Sequence, residues 1–474
     1  MNRYSDLIVG TGPTAWATAL GLLAAGRHPV FVDFGSEPWA DSSDIAHKGA
    51  PALKGSASAR SLFSYPQSLI CSADREHLPL SSARGGLSEI WGAGILARTF
   101  DGMPELREIT NDFTAATNGL LRHITSLGVD DQTSERFQLP NGSSKAPQST
   151  RYAKIAQQSQ SSRHPGLLFG YPRIAFSRSP SHCVRCGLCR SGCPEELFLN
   201  SRREIETLVL QKRATLINGP VTRIIETQSK IKVETPTSTL DVNRLYLCAG
   251  PIATPALLQR SGLLQDEIEV QDSAVFYGMA WNSQQIHGDE SQFASAHLVA
   301  FSDHFSADDF QLAFYESHPE LSNRIANLLR IPSRLVSVPR AVQSRLNPLI
   351  GFLDSRRSGK LLLQYRGGRT VVYRVPNSLT RSAVRFALSR VAPAARRLGL
   401  LTMPFVNSIP PVGSGYHSGA SIPIGGESVS LSGSLIALNQ IYVCDASSLP
   451  HIWAGSHTFA AMINGYRIAV ASAS

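Results

Sequence analysis

The stretch Asp6-Leu7-Ile8-Val9-Gly10-Thr11-Gly12-Pro13-Thr14-Ala15, closed by Pro29-Val30-Phe31-Val32-Asp33, decides the fold. Leu7 to Val9 is a short apolar run suited to a buried parallel strand. Gly10 permits the tight turn that follows, and Gly12 lets the backbone approach a pyrophosphate. Ala15 stands where this fingerprint takes Gly or Ala, so that the helix packs closely on the strand. Trp16 to Ala25 is apolar all round, as in a buried helix, and Gly26 is placed to end it. Asp33 closes the second strand about twenty residues on, where a carboxylate can accept hydrogen bonds from a ribose. A lone Gly-x-Gly-x-x-Ala says little. With both strands, the helix and the acid in place, it predicts a dinucleotide site, without separating FAD from NAD.

A chain of 474 residues has room for two or three domains and a large core. Charged residues make up 17%, and no low-complexity tract dominates, so the composition is that of a globular protein. Met1 to Asp6 is polar, with no signal-peptide pattern, and no apolar run suffices to span a bilayer. The expectation is a soluble, cytoplasmic protein. Four of seven cysteines crowd between Cys183 and Cys193, which fits a metal site in a reducing compartment better than a disulfide framework. The net charge of +9 is uneven: Leu321–Leu400 holds sixteen Lys and Arg and a single acid, Asp354. That segment is either a solvated basic face or an attractor for an anionic partner. Such a partner would be a phosphorylated substrate or an acidic membrane surface touched peripherally. Nucleic acid is not expected, because no nucleic-acid-binding motif accompanies the charge.

After Asp33, the Ser/Gly/Ala-rich stretch 35–64 reads as loop. The block Arg84-Gly85-Gly86-Leu87-Ser88-Glu89-Ile90-Trp91-Gly92-Ala93-Gly94 cannot form a stable element alone; it suits backbone wrapped around a flat ligand, or else a glycine-rich surface loop. Gln132 to Ser162 is polar and reads as a linker. Strands are predicted at 214–217, 221–225, 230–233 and 244–248. The last runs into Ala249-Gly250-Pro251 and a helix opened by Pro255. Lys360 to Tyr365 and Thr370 to Val375 read as a hairpin joined through Gly367-Gly368. The strand Gln440 to Cys444 leads into Asp445-Ala446, and a last helix follows Ser456-His457-Thr458.

Taken together, four blocks resemble the glucose–methanol–choline (GMC) family of FAD-dependent oxidoreductases. They are the N-terminal fingerprint, Arg84–Gly94, Ala249–Gly262 and Tyr416–Thr458, in the family's order. The third is close to a family signature. The resemblance implies an α/β chain: a doubly wound, Rossmann-like FAD domain plus a substrate domain built on an antiparallel sheet. The expected division is 1–110, 201–265 and 411–474 for three parts of the FAD domain, 111–200 for a linker and Cys-rich segment, and 266–410 for the substrate domain. The implied cofactor contacts are Gly10, Gly12, Ala15, Asp33, Arg84, Gly85, Gly86, Ser88, Trp91, Gly92, Gly250, Asp445 and Ala446. The implied reaction is oxidation of a CH–OH group in a small alcohol or sugar, with hydride passing to the flavin while a histidine takes the hydroxyl proton. His417 stands where the family places that histidine. The family's second active-site position falls on Ser456, with His457 one residue later, so either a shifted register brings His457 into the role or the pair is replaced. His451 reads as packing. Some members link FAD to a histidine just before the tryptophan of the glycine block; that position here is Ile90.

Cys183, Cys186, Cys189 and Cys193 have the spacing C-x2-C-x2-C-x3-C-P of bacterial ferredoxins. Thiolates so spaced converge on an iron–sulfur cluster, 4Fe-4S or 3Fe-4S, whereas zinc prefers two separated pairs. Inherited thiols without metal are the alternative. With a cluster, electrons would leave the flavin for an external acceptor, as in a dehydrogenase; without one, O₂ would serve, as in an oxidase. A redox-inactive binding protein that kept the fold is the rival from another class.

Overall fold

The computed structural model describes residues 3–35, 65–74, 76–95, 109–127, 150–161, 164–186, 189, 193, 195–227, 230–283, 295–302, 306–316 and 345–473. Most of the stretch 35–64 and residues 321–344 of the basic segment therefore lie outside the described residues. The first layer is a seven-stranded sheet. Its parallel part runs β7 (Thr215–Asn218), β2 (Val30–Asp33), β1 (Arg3–Val9), β10 (Thr239–Leu247) and β20 (Ile441–Val443). β9 (Lys230–Glu234) and β8 (Arg223–Thr227) extend it as antiparallel strands. The chain thus enters this sheet in three instalments, as the doubly wound expectation requires.

Helix α1 (Pro13–Ala24) follows β1 directly. Pro13 sits at its first position, where the missing N–H costs nothing, and Gly26 at φ 72° ends it. The closing bonds are Arg27 N–H to Leu22 O, 2.9 Å, and Gly26 N–H to Leu23 O, 3.0 Å. Nine of its residues are buried, because the last helix, α7 (Thr458–Ala473), packs along it. α2 (Thr110–Leu121) lies against α7 through Phe113, Ala116 and Leu120, and α4 (Ser201–Leu210), capped by Asn200, packs nearby.

The second domain is built on two further sheets. One has six antiparallel strands in the order β18 (Leu400–Ser408), β12 (Val275–Asn282), β15 (Leu346–Leu353), β14 (Phe310–Tyr315), β13 (Ala296–Ser302) and β5 (Leu167–Gly170). Helix α6 (Thr380–Arg397) covers one face with Ala383, Val384, Ala387, Leu388 and Val391. The other has the order β19 (Ser418–Gly419), β11 (Glu267–Asp272), β16 (Lys360–Arg366), β17 (Arg369–Val375) and β3 (Ile70–Ser72), with α5 (Ala253–Arg260) beside it. β16 and β17 form the hairpin expected through Gly367 and Gly368, both at positive φ. A small pair joins β4 (Thr125–Leu127) and β6 (Ile174–Phe176).

One reading of the sequence differs from the structure. The polar stretch 132–162 holds helix α3 (Thr150–Ser161), with Tyr152, Ile155 and Ala156 fully buried in the substrate-domain core. Three apolar residues at helical spacing decide this, although Ser and Gln dominate the composition. No helix among the described residues is long and apolar enough to cross a membrane.

Candidate active site

A cavity of about 370 Å³ runs from the end of β1 to the loop before α7. At its first end, Gly10 has φ +103°, and a Cβ there would stand 2.6 Å from the Cys248 carbonyl oxygen. Only glycine lets β1 and β10 close here. Gly12 is the opposite case: a Cβ would meet nothing within 4 Å. Its backbone faces open cavity at the α1 N-terminus, which is how a pyrophosphate is cradled. Asp33 ends β2. Its carboxylate accepts from Thr11 Oγ1, 2.9 Å, and from the Gly35 N–H, 3.0 Å. Burial raises its pKa against those hydrogen bonds. Asp445 is fully buried at the end of β20. It accepts from the Gly250 N–H, 2.8 Å, the Thr254 hydroxyl, 2.5 Å, and the Ser447 N–H, 2.9 Å. Burial raises its pKa as well.

The glycine block folds over the fingerprint turn. The Gly85 N–H donates to Thr11 Oγ1 at 2.9 Å, and Gly85 and Gly86 both have positive φ. Trp91 Nε1 donates to Leu199 O at 2.7 Å, tying the block to the segment after the cysteines. Gly86, Ser88, Trp91, Gly92, Gly250 and Ala446 line the cavity. Three expected contacts do not line it. Ala15 is buried in α1, Arg84 reaches Asn218, and Gly85 carries the turn.

At the other end two histidines meet. The rings of His417 and His457 stand edge to face, 5.2 Å between centroids, and Phe352 of β15 stacks on His417 at 4.3 Å. Both line the cavity. His457 is 4% exposed, and burial pushes its imidazole down to about 4, so it is neutral at pH 7. Ser456 Oγ donates to Gly94 O at 2.7 Å. Its hydroxyl is thereby engaged with backbone, and His457 is the residue beside His417. His451 is not mere packing, because its Nε2 stands 2.9 Å from Asp354 Oδ2. That contact joins the loop before α7 to the substrate domain, and it helps hold Asp354 below the usual carboxylate range.

Asp272 had no signal in the sequence. It ends β11, 1% exposed, and accepts from the Gly413 N–H and the Ser418 hydroxyl, each at 2.8 Å. These bonds clasp both ends of the turn that carries His417. The Ser273 N–H holds the His417 carbonyl at 2.9 Å. Tyr416 sits at φ +57°, a conformation that such a clasp must maintain. Burial pushes Asp272 up to about 6. The folded form therefore binds a proton that the unfolded chain has released, and stability from this group is lost as pH rises from about 4 to 6. Asp272→Asn does not titrate. Its stability relative to wild type should rise across that window by on the order of 3 kcal/mol, read from urea midpoints at pH 4 and pH 7.

The cysteine run lies beside the same cavity. Cys189 lines it, and Cys183, Cys189 and Cys193 pack against the core of the first domain. Burial raises the Cys193 thiol, and the neighbouring Cys186 and Cys183 raise it further. Among the described residues, no three His, Cys, Asp or Glu side chains gather closely enough to hold a metal ion. The ferredoxin spacing thus does not appear as a closed ligand set. Cys248 and Cys444 are buried core residues.

No family model and no curated protein matches the sequence. Among solved structures, pyridoxine 4-oxidase from Mesorbium loti superposes over 98% of this chain and 98% of its own, with TM-score 0.60 and 16% identity. The chain shares its fold with that oxidase. The likeness spans both domains, so the two-domain α/β architecture is common to both proteins.

Proposed function

We propose that the chain is an FAD-dependent oxidoreductase of the GMC type that oxidises a CH–OH group in a small alcohol or sugar. One observation carries this reading: a single cavity joins the dinucleotide fingerprint to His417 and His457. Gly10, Gly12 and the α1 N-terminus would hold the pyrophosphate, Asp33 the ribose, and the Gly86–Gly92 backbone the flat ring. Bound FAD would supply the hydride-accepting chemistry. His417 would take the hydroxyl proton, since alkoxide character is what lets hydride leave carbon. Phe352 fixes its ring plane, and Asp272 fixes its loop. His457, neutral and buried, would orient the same hydroxyl. Ile90 offers no nucleophile, so FAD should be held without a covalent bond. Acid precipitation should leave the flavin in the supernatant; flavin that stays with the pelleted chain would contradict this.

The electron acceptor is the finer part of the proposal. The spacing of the four cysteines and the place of Cys189 on the cavity wall support an iron–sulfur cluster and an external carrier. The second reading, an oxidase that uses O₂, is favoured by the ungathered thiols and by the shared fold. The proton chemistry above needs no cluster. Protein purified without air should contain roughly three to four iron and as many acid-labile sulfide per chain if the cluster is real. Cys186→Ser should then lose iron and keep FAD. Neither iron nor sulfide after reconstitution, with peroxide formed in air, would decide for the oxidase.

A further inference from the structure

The basic segment is not uniformly solvated. Arg356, Arg357, Lys360 and Arg374 are engaged by Asp354, Asp308, Glu269 and Asp74. The excess charge collects on α6. Its outer face carries Arg381, Arg385, Arg390, Arg396 and Arg397, all exposed, and the helix contains no acid. None of the five is in an ion pair among the described residues. Like charges one turn apart, such as Arg381 and Arg385, weaken a helix slightly. Arg396 and Arg397 complement the C-terminal end of the helix and Arg390 donates to Pro165 O, but the buried stripe already holds α6, so stability does not call for Arg381 and Arg385.

Apolar side chains stand among these charges. Phe386 is 47% exposed and Leu379 44%. The edge strand β18 contacts α6 through Leu400, so Leu401 points to the opposite face of the sheet, and Phe405 is 85% exposed further along the strand. Phe405 falls where β18 leaves its register with β12, between the pairs Ala280–Thr402 and Gly278–Asn407. Edge strands are normally blunted with charge, and this one displays an aromatic ring.

We infer that the outer face of α6 docks on an anionic lipid bilayer. The arginines would sit at the headgroup phosphates while Phe386 and Leu379 enter the boundary below them. Five cations around an exposed aromatic ring on an amphipathic helix match the chemistry of an interfacial helix. The charge complements a negative leaflet.

The test uses the full-length flavin-loaded protein and two kinds of vesicle: phosphatidylcholine alone, and equal parts phosphatidylcholine and phosphatidylglycerol. Cosedimentation is expected with the second kind only, falling as salt is raised. Combining Arg381→Gln, Arg385→Gln and Arg396→Gln should weaken it roughly 100-fold, at about fivefold per arginine, with flavin content unchanged. Phe386→Ser should weaken it roughly tenfold and leave the salt dependence intact. Failure to bind the mixed vesicles would overturn the inference. So would equal binding by the triple variant, or capture by heparin or an acidic protein but not by lipid. Because flavin content is measured separately, an apoprotein that still bound lipid would count against the proposed function and leave this inference standing.

Discussion

His417→Ala should keep the chain folded and flavin-loaded, yet slow flavin reduction by an alcohol roughly 10²–10⁴-fold, the usual worth of a positioned general base. The ring contacts of His417 are to Phe352 and His457, away from Gly10, Gly12 and Asp33, so cofactor binding should hold. The loss should appear in the reductive step and be partly recovered at high pH, where solvent takes the proton. His457 does not replace it as the base. Burial pushes its imidazole down to about 4, so it is neutral throughout the working range and a weak proton acceptor. The large loss of proton-transfer rate should therefore appear in His417→Ala and not in His457→Ala. Stopped-flow reduction of both variants checks this. A fast His417→Ala beside a dead His457→Ala would reverse the assignment.

The second large effect separates two glycines that look alike in the fingerprint. Gly12→Ala should melt like wild type as apoprotein, within about 0.5 kcal/mol, because its backbone is extended and its Cβ has open space. It should nevertheless lose flavin affinity by roughly 100-fold or more, because that space is where the pyrophosphate would lie. Gly10→Ala should instead damage the apoprotein, by about 2–4 kcal/mol. Its φ of +103° is unfavourable for alanine, and the new Cβ would press on the Cys248 carbonyl. Urea unfolding of the two apoproteins, together with flavin content, distinguishes them. A Gly12→Ala protein that kept full flavin affinity would place no ligand against Gly12.

The first domain was legible because its signals are local. Gly10, Gly12 and Asp33 fall within one strand–helix–strand unit, and the hairpin between β16 and β17 announces itself through Gly367-Gly368. What the sequence did not reveal is long-range. Asp272 reaches Ser418 across 146 positions because β11 pairs with β19. No pattern near Asp272 carries that register. His451 likewise finds Asp354 only once the two domains meet. The Ser456 hydroxyl likewise reaches Gly94 O across 362 positions, a contact no local pattern announces. The cysteine run is the reverse case: its spacing is plain in the sequence, while among the described residues no three metal-ligating side chains gather.

The central claim is that a flavin in this cavity is reduced by an alcohol. An anaerobic titration of the purified holoprotein with a panel of alcohols and sugars tests it most directly, read at the oxidised-flavin absorption band. At least one compound should bleach the band with one equivalent per flavin, and His417→Ala should slow that bleaching. A flavin that dithionite reduces, but that no alcohol or sugar in the panel bleaches, would contradict the account.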